Sequence, residues 1–266
     1  MQRLAVLAAS ARELAPVLSV FGFFGDLKRD RLGPFPHQAG QTGRLELHLI
    51  ETGIGPERAR EASERAVFAL TPDAVISTGY AGALGVAALG ELILGTTVFD
   101  WPPERSLTAI QADSGLLESA RMAARDAGVG WTQGSVVTME RVVWRASEKR
   151  ALGEVSGAIA VDMESAVIAR VATASGVPFL LARAISDRVG DDLPMDVNVW
   201  FSPFGSFRCL LQIVKHPSIL YGLYEMKRHA DQASESLRRF FCALVLVLEA
   251  QLRPPDAEAT LTMGAH

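Results

Sequence analysis

The sequence predicts an α/β domain on three observations. Short apolar runs with strand-like patterning alternate with stretches that read as helices. Two of these runs, Ala158 to Val161 and Pro178 to Ile185, each lead into acids: Asp162-Met163-Glu164 after the first and Ser186-Asp187 after the second. Between them lies a helical stretch to about Ser175, punctuated by Gly176 and Pro178. Ligands of open α/β sheets sit outside the carboxyl ends of the strands, so both acids fall where a site would be built. The length, 266 residues of which 49% are hydrophobic, fills one substantial core rather than two.

The chain opens with an apolar run, Arg3 to Ser10, which reads as a buried strand. Ala11 to Val20 follows as a helix, with Glu13 in its first turn, where the helix dipole alone favours an acid. Phe21 to Gly43 is rich in glycine, proline and charge and reads as a loop or short hairpin, and Arg44 to Glu51 alternates like a half-buried strand. The turn Thr52-Gly53-Ile54-Gly55-Pro56 opens a helix to about Leu70, and Asp73 to Ala83 is a strand running into a glycine turn. Glu91 to Phe99 is a strand, Asp100 to Ser106 a loop, Ser114 to Asp126 a helix with Ser114 as N-cap and Gly128 as stop, and Trp131 to Val137 a strand. After Asp187 an apolar, aromatic-rich stretch, Leu193 to Lys227, is divided by His216-Pro217 into two helical pieces, with Arg208, Lys215, Lys227 and Arg228 interleaved. Ala230 to Gln251 reads as a terminal helix with an apolar face of Leu237, Phe240, Phe241, Leu244 and Leu248, and Arg253 to His266 as disordered. The expected organisation is one domain over 1–251, carrying an apolar helical insertion at about 193–228, and a tail at 252–266.

A net charge of -4 argues against a nucleic-acid partner, which calls for a basic patch. The two cysteines, Cys209 and Cys242, are too few for a disulfide framework and suit a reducing compartment. Leu4 to Ala9 is short and interrupted at once by Glu13 and Pro16, so no signal peptide is read, and the apolar run Phe240 to Leu248 is about half of what a membrane span needs. A cytoplasmic location is expected. The five histidines are scattered and no metal-ligand cluster is visible, so neither metal nor organic cofactor is expected.

The segments VDMESAVIA and ARAISD resemble the signature of the purine nucleoside phosphorylase and nucleosidase superfamily. They are most similar to its methylthioadenosine/adenosylhomocysteine nucleosidase branch, whose pattern runs roughly V-E-M-E-x-A-A-I-A and then R-x-I-S-D. Weaker similarity covers about residues 1–190. The resemblance implies a three-layer α/β/α domain with a mixed, partly closed central sheet, a homo-oligomer, and cleavage of the N-glycosidic bond of a purine nucleoside. It implies roles as well: Glu13 activates the attacking water, Glu164 binds the ribose with Met163 beside it, and Asp187 acts as general acid, oriented by Ser186. The stretch Asp73 to Ala83 is similar to a segment beside the ribose and nucleophile, with Gly79 in the pattern and Tyr80 where a small residue is usual. Thr138 to Trp144 is similar to the base-binding segment; Val142 stands where relatives place a stacking phenylalanine, and Val143 where the backbone reads the base edge. Superfamily phosphorylases hold phosphate partly with an arginine near residue 80, yet no basic residue occurs between Pro72 and Trp101. Inorganic phosphate therefore stays open as a co-substrate, with water favoured. The stretch 193–228 loosely resembles the tail of the hopanoid-associated phosphorylase branch, which implies adenosylhopane as an alternative substrate.

These residue types suit that chemistry. The bond breaks through an oxocarbenium-like sugar, and the purine leaves neutral only if an acid protonates N7. An ionised carboxylate on the ribose hydroxyls strengthens those bonds as positive charge builds. Two readings of other classes compete: a non-catalytic nucleoside-binding protein, kept open by Tyr80 and Val142, and a membrane-surface protein using Leu193 to Arg228.

Overall fold

A computed structural model of the chain describes residues 2–24, 27–102, 109–198 and 218–252. Ten strands form one mixed sheet: β1 (Gln2–Ala8), β2 (Leu27–Leu32), β3 (Phe35–Thr42), β4 (Leu45–Glu51), β5 (Ala74–Ala83), β6 (Leu92–Asp100), β7 (Ile110–Gln111), β8 (Trp131–Thr138), β9 (Ala160–Asp162) and β10 (Phe179–Asp187). The path runs β10-β6-β8-β9-β5-β1-β4-β3-β2, with β7 on β6. Because β10 also pairs with β5, in parallel register from Phe179↔Val75 to Asp187↔Gly82, one half of the sheet closes on itself while the other stays open. Strands β1, β4, β5 and β10 run parallel and send their carboxyl ends to one rim.

Two helical layers cover the sheet. On one side α1 (Ala11–Phe24), α3 (Ser114–Asp126) and α6 (Ser218–Gln251) pack on Leu4, Val6, Ile76 and Leu180. On the other, α2 (Pro56–Leu70) and α5 (Ser165–Ala174) pack on Ala5, Leu7, Val75 and Leu181. Successive strand residues face opposite layers, and both layers are apolar, so these strands read as continuous apolar runs. The short helix α4 (Ala146–Ser156) covers a smaller cluster of Leu84, Val137, Val143, Leu152, Ala158 and Val161.

Two expectations are corrected, and one stretch takes one of its two alternatives. The stretch 21–43 is the hairpin rather than the loop, β2–β3 following the end of α1; β2 is exposed or half-buried along its length and so lacks an alternating signature. The cap of α3 is Asp113, whose carboxylate accepts from Leu116 N–H, and not Ser114. Finally, α6 is one helix of 34 residues from Ser218, where sequence divides the chain near 228. Its stretch 228–251 carries neither glycine nor proline to stop a helix that has begun at 218. The first part of the insertion, through Leu193, Met195 and Val197, is buried against Val142, Trp144, Ile219 and Met226. Residues 199–217, including the His216-Pro217 break, and the tail 253–266 lie outside the described residues. Among the described residues no helix is long and apolar enough to cross a membrane.

Candidate active site

Arg183, on β10, organises the rim. Its side chain is 1% exposed and its guanidinium faces three carboxylates. Nη2 lies 2.9 Å from Asp162 Oδ2 and 3.8 Å from Glu164 Oε2, and Nη1 lies 4.0 Å from Glu13 Oε1. Nη1 also donates to Thr78 O at 2.7 Å, and Nη2 to Ser165 Oγ at 2.9 Å. Burial works against the Arg183 charge, but Asp162, Glu164 and Glu13 together outweigh it and raise its pKa.

Each carboxylate is held differently. Glu13 starts α1, directly after β1; Tyr80 N–H donates to its Oε1 at 2.9 Å and Ser10 O–H to its Oε2 at 2.9 Å. Asp162 ends β9 and is structural: it accepts from Thr138 Oγ1 at 2.7 Å and from Ser165 Oγ, and pairs with Arg183. Glu164 stands at the N-cap of α5 yet makes no side-chain cap. Its Oε1 instead accepts from Gly55 N–H at 3.0 Å, at the mouth of α2. Burial, together with Asp162 and Glu13 and against the pull of Arg183, pushes the Glu164 pKa up to about 7. Three carboxylates share one committed guanidinium in a dry site, so one of them holds a proton easily.

Gly79 makes this convergence possible. Its φ of +135° lies where only glycine sits comfortably, and a methyl there would overlap Glu13 Oε1 and Arg183 Nη1.

A second group lies at the end of β10. Asp187 is 15% exposed, and its Oδ1 accepts from Ser186 O–H at 2.9 Å. Its Oδ2 accepts from the ammonium of Lys149, a fully buried residue of α4. The resemblance implies Ser186 as the partner that orients Asp187; the structure adds an ion pair. Gly82 lies beneath, its Cβ position 3.0 Å from Asp187 Oδ2. Gly79 and Gly82 stand three residues apart on β5, so roughly 10 Å of strand separates the two glycines under these groups.

The chain after Asp187 runs back along the segment from Thr138 to Lys149. Ala146 N–H donates to Asp192 Oδ1 at 2.6 Å and Leu193 N–H to Trp144 O at 2.8 Å. The Asn198 amide grips both sides of Val142, accepting from its N–H at 2.8 Å and donating to its C=O at 3.0 Å. Among the described residues no hydrogen bond to the Val143 peptide is found. The Val143 side chain is core. Tyr80 also departs from expectation: its N–H meets Glu13, but its ring packs towards α6, with the hydroxyl donating to Ser234 Oγ at 3.2 Å. Met163 lies half-buried between Asp162 and Glu164. Arg58 lies over the Phe35 ring and Arg60 pairs with Glu64, so neither enters the cluster. Among the described residues no group of three or more histidine, cysteine or acidic side chains is arranged to hold a metal.

The pattern of the phosphorylase superfamily matches residues 3–204. This chain belongs to that superfamily. Among curated relatives of this superfamily member, the 5'-methylthioadenosine/S-adenosylhomocysteine nucleosidase of Maridesulfovibrio salexigens is 27% identical, covering 71% of this chain and 87% of that one. The nucleosidase of that name from Shewanella loihica is 25% identical over 80% and 99% of the two chains. The superfamily fold is shared with a futalosine hydrolase mutant of Helicobacter pylori, at a TM-score of 0.74 and 18% identity over 92% of this chain and 99% of that one. It is shared equally with the nucleosidase of Neisseria meningitidis in complex with methylthio-immucillin-A, at 0.73 and 21% over the same shares. The three-layer, partly closed sheet read from sequence is the fold of this superfamily member.

Sequence reasoning missed Lys149, Gly82, Ser10 and Asn198. For Arg183 the signal was present: a cation inside an apolar strand run must be paired. For Lys149, set between Glu148 and Arg150, there was none.

Proposed function

We propose that this protein cleaves the N-glycosidic bond of an adenine nucleoside with water as the nucleophile. The observation that carries this reading is the separation of the acids into two differently charged groups at one rim. Glu13 and Glu164 share Arg183 at one end; Asp187 stands apart with its own cation. The relatives named as 5'-methylthioadenosine/S-adenosylhomocysteine nucleosidases support it.

In this reading the ribose lies over Met163, with its hydroxyls on ionised Glu164. Those bonds strengthen as positive charge grows on the sugar. Glu13, fixed by Ser10 and Tyr80 N–H, takes the proton of the attacking water. Asp187, oriented by Ser186, gives a proton to purine N7, and the Val143 peptide reads the base edge. Charge favours water over phosphate: a phosphate dianion would have to enter beside Glu13 and Glu164, whose one shared cation is already paired with Asp162. Within the adenine nucleosides, Leu220 and Tyr221, more than half exposed at the start of α6, favour a second reading with an apolar 5′ substituent.

Adenine release from methylthioadenosine, adenosylhomocysteine and a 5′-alkyl adenosine, each with and without phosphate, tests this. Release without phosphate, lost in Asp187→Asn, is expected. A strict phosphate requirement overturns the water assignment. No release from any of the three, with tight adenine binding, overturns the enzyme.

A further inference from the structure

We infer that Lys149 is a positioning residue for glycosidic cleavage, acting through Asp187; the inference rests on Asp187 being the acid. A lysine ammonium has three N–H donors. All three are committed: to Asp187 Oδ2, to Arg188 O at 3.1 Å and to Asp191 O at 3.0 Å. The side chain is fully buried, so it has no water to fall back on. Removing an ammonium from water is costly, and packing alone does not require it, since an apolar side chain fills such a site as well or better. The charge is therefore best explained by what it faces.

What it faces is one oxygen of Asp187, and the hold is tight. Ser186 O–H occupies Oδ1, Lys149 occupies Oδ2, and Gly82 lies beneath, where a Cβ would stand 3.0 Å from Oδ2. The two carbonyls that share Lys149 belong to the turn leaving β10, so the ammonium ties the carboxyl to its own following turn.

The step then balances as follows. The C1′–N9 bond breaks and its electron pair stays with the purine. Asp187 takes a proton from solvent at its open edge onto Oδ1, Oδ2 staying with Lys149; that proton then moves to N7, and the water oxygen bonds to C1′ while its proton goes to Glu13. The negative charge left on Asp187 appears against an ammonium already in place, so no solvent must reorganise. Lys149 keeps all three of its protons and touches no substrate atom.

The test sets Lys149→Met, Lys149→Arg and Asp187→Asn beside the unaltered protein on two ribosides. One is methylthioadenosine, whose base needs a proton to leave; the other is a nitrophenyl riboside, whose phenolate leaves without one. For Lys149→Met the expected result is a kcat about 100-fold lower on methylthioadenosine, with KM held within about threefold and nitrophenolate release near that of the unaltered protein. Lys149→Arg should regain about tenfold, because it restores the charge but not the three-point geometry. Equal losses on both substrates, a loss confined to KM, or an unchanged kcat on methylthioadenosine would each overturn the inference. If Lys149→Met does not fold, the split between the two ribosides is read on Lys149→Arg. Full adenine release by Asp187→Asn would instead remove the acid itself, and the role of Lys149 with it. A defective Asp187→Asn beside a fully active Lys149→Met would sink Lys149 alone.

Discussion

Strand β10 carries two buried charge sites that are built on opposite plans. At Arg183 one guanidinium serves three carboxylates, while at Asp187 one ammonium serves a single carboxylate and two backbone carbonyls. The first site is over-supplied with negative charge; burial first, and then that surplus, push the Glu164 pKa up to about 7. The second is balanced. The contrast suits the two ends of a nucleoside. In the proposed function a growing sugar cation is met by surplus negative charge, and a leaving base by a carboxyl whose conjugate charge is already compensated.

The largest effect should come from taking the cation out of the crowded site. Arg183→Met leaves Asp162, Glu164 and Glu13 facing one another, and should cost about 3–5 kcal/mol in urea unfolding. Lys149→Met, which strands one carboxylate that is partly open to water, should cost less. A loss at Lys149 equal to that at Arg183 would erase the distinction.

The pH dependence sharpens it. The Glu164 pKa is raised from 4.5 to about 7 on folding, so the folded state holds a proton that the unfolded chain releases. Its contribution is fully present below 4.5 and is lost as pH rises through about 7, on the order of 3 kcal/mol in all. Stability measured from pH 5 to 8 should therefore decline less steeply in Glu164→Gln. Burial lowers the pKa values of the paired His37 and His48, whose Nε2 and Nδ1 lie 2.9 Å apart, so their contribution runs the other way. It is present above 6.5 and lost as pH falls. Since ribose hydroxyls need ionised Glu164, kcat/KM should rise through about pH 7, and that limb should vanish in Glu164→Gln.

Smaller tests follow. Gly79→Ala should lower kcat about 100-fold, because displacing Glu13 by an ångström misaims the water. Asn198→Ala removes both bonds to the Val142 peptide and should destabilise by about 1–3 kcal/mol while raising KM for adenine nucleosides. Arg60→Ala, which breaks an exposed pair with Glu64, should change stability by less than about 0.5 kcal/mol and activity not at all.

Much of this was legible from sequence because its signals are local. Strands β1, β5 and β10 are apolar runs, and the acids follow them within a few residues. The resemblance around Asp162, Glu164 and Asp187 assigned roles that composition could not. What escaped depends on contacts distant in the chain. Lys149 meets Asp187 across 38 positions, within a charged run that reads as a solvated helix face. Asn198 meets Val142 across 56. Tyr80 was read as altering the pocket, but its side-chain direction is set by the β5 register and by α6, which no local pattern encodes.

The clamp at Val142 and the turn after Asp187 belong to one continuous stretch, 187–198. It fastens to the base-side segment at Lys149, Ala146, Trp144 and Val142 in succession. If the proposed roles hold, a substitution along it would shift both the group proposed to recognise the base and the group proposed to release it. Lineages descending from such a chain would find it hard to change the purine they accept while keeping the speed at which they expel it.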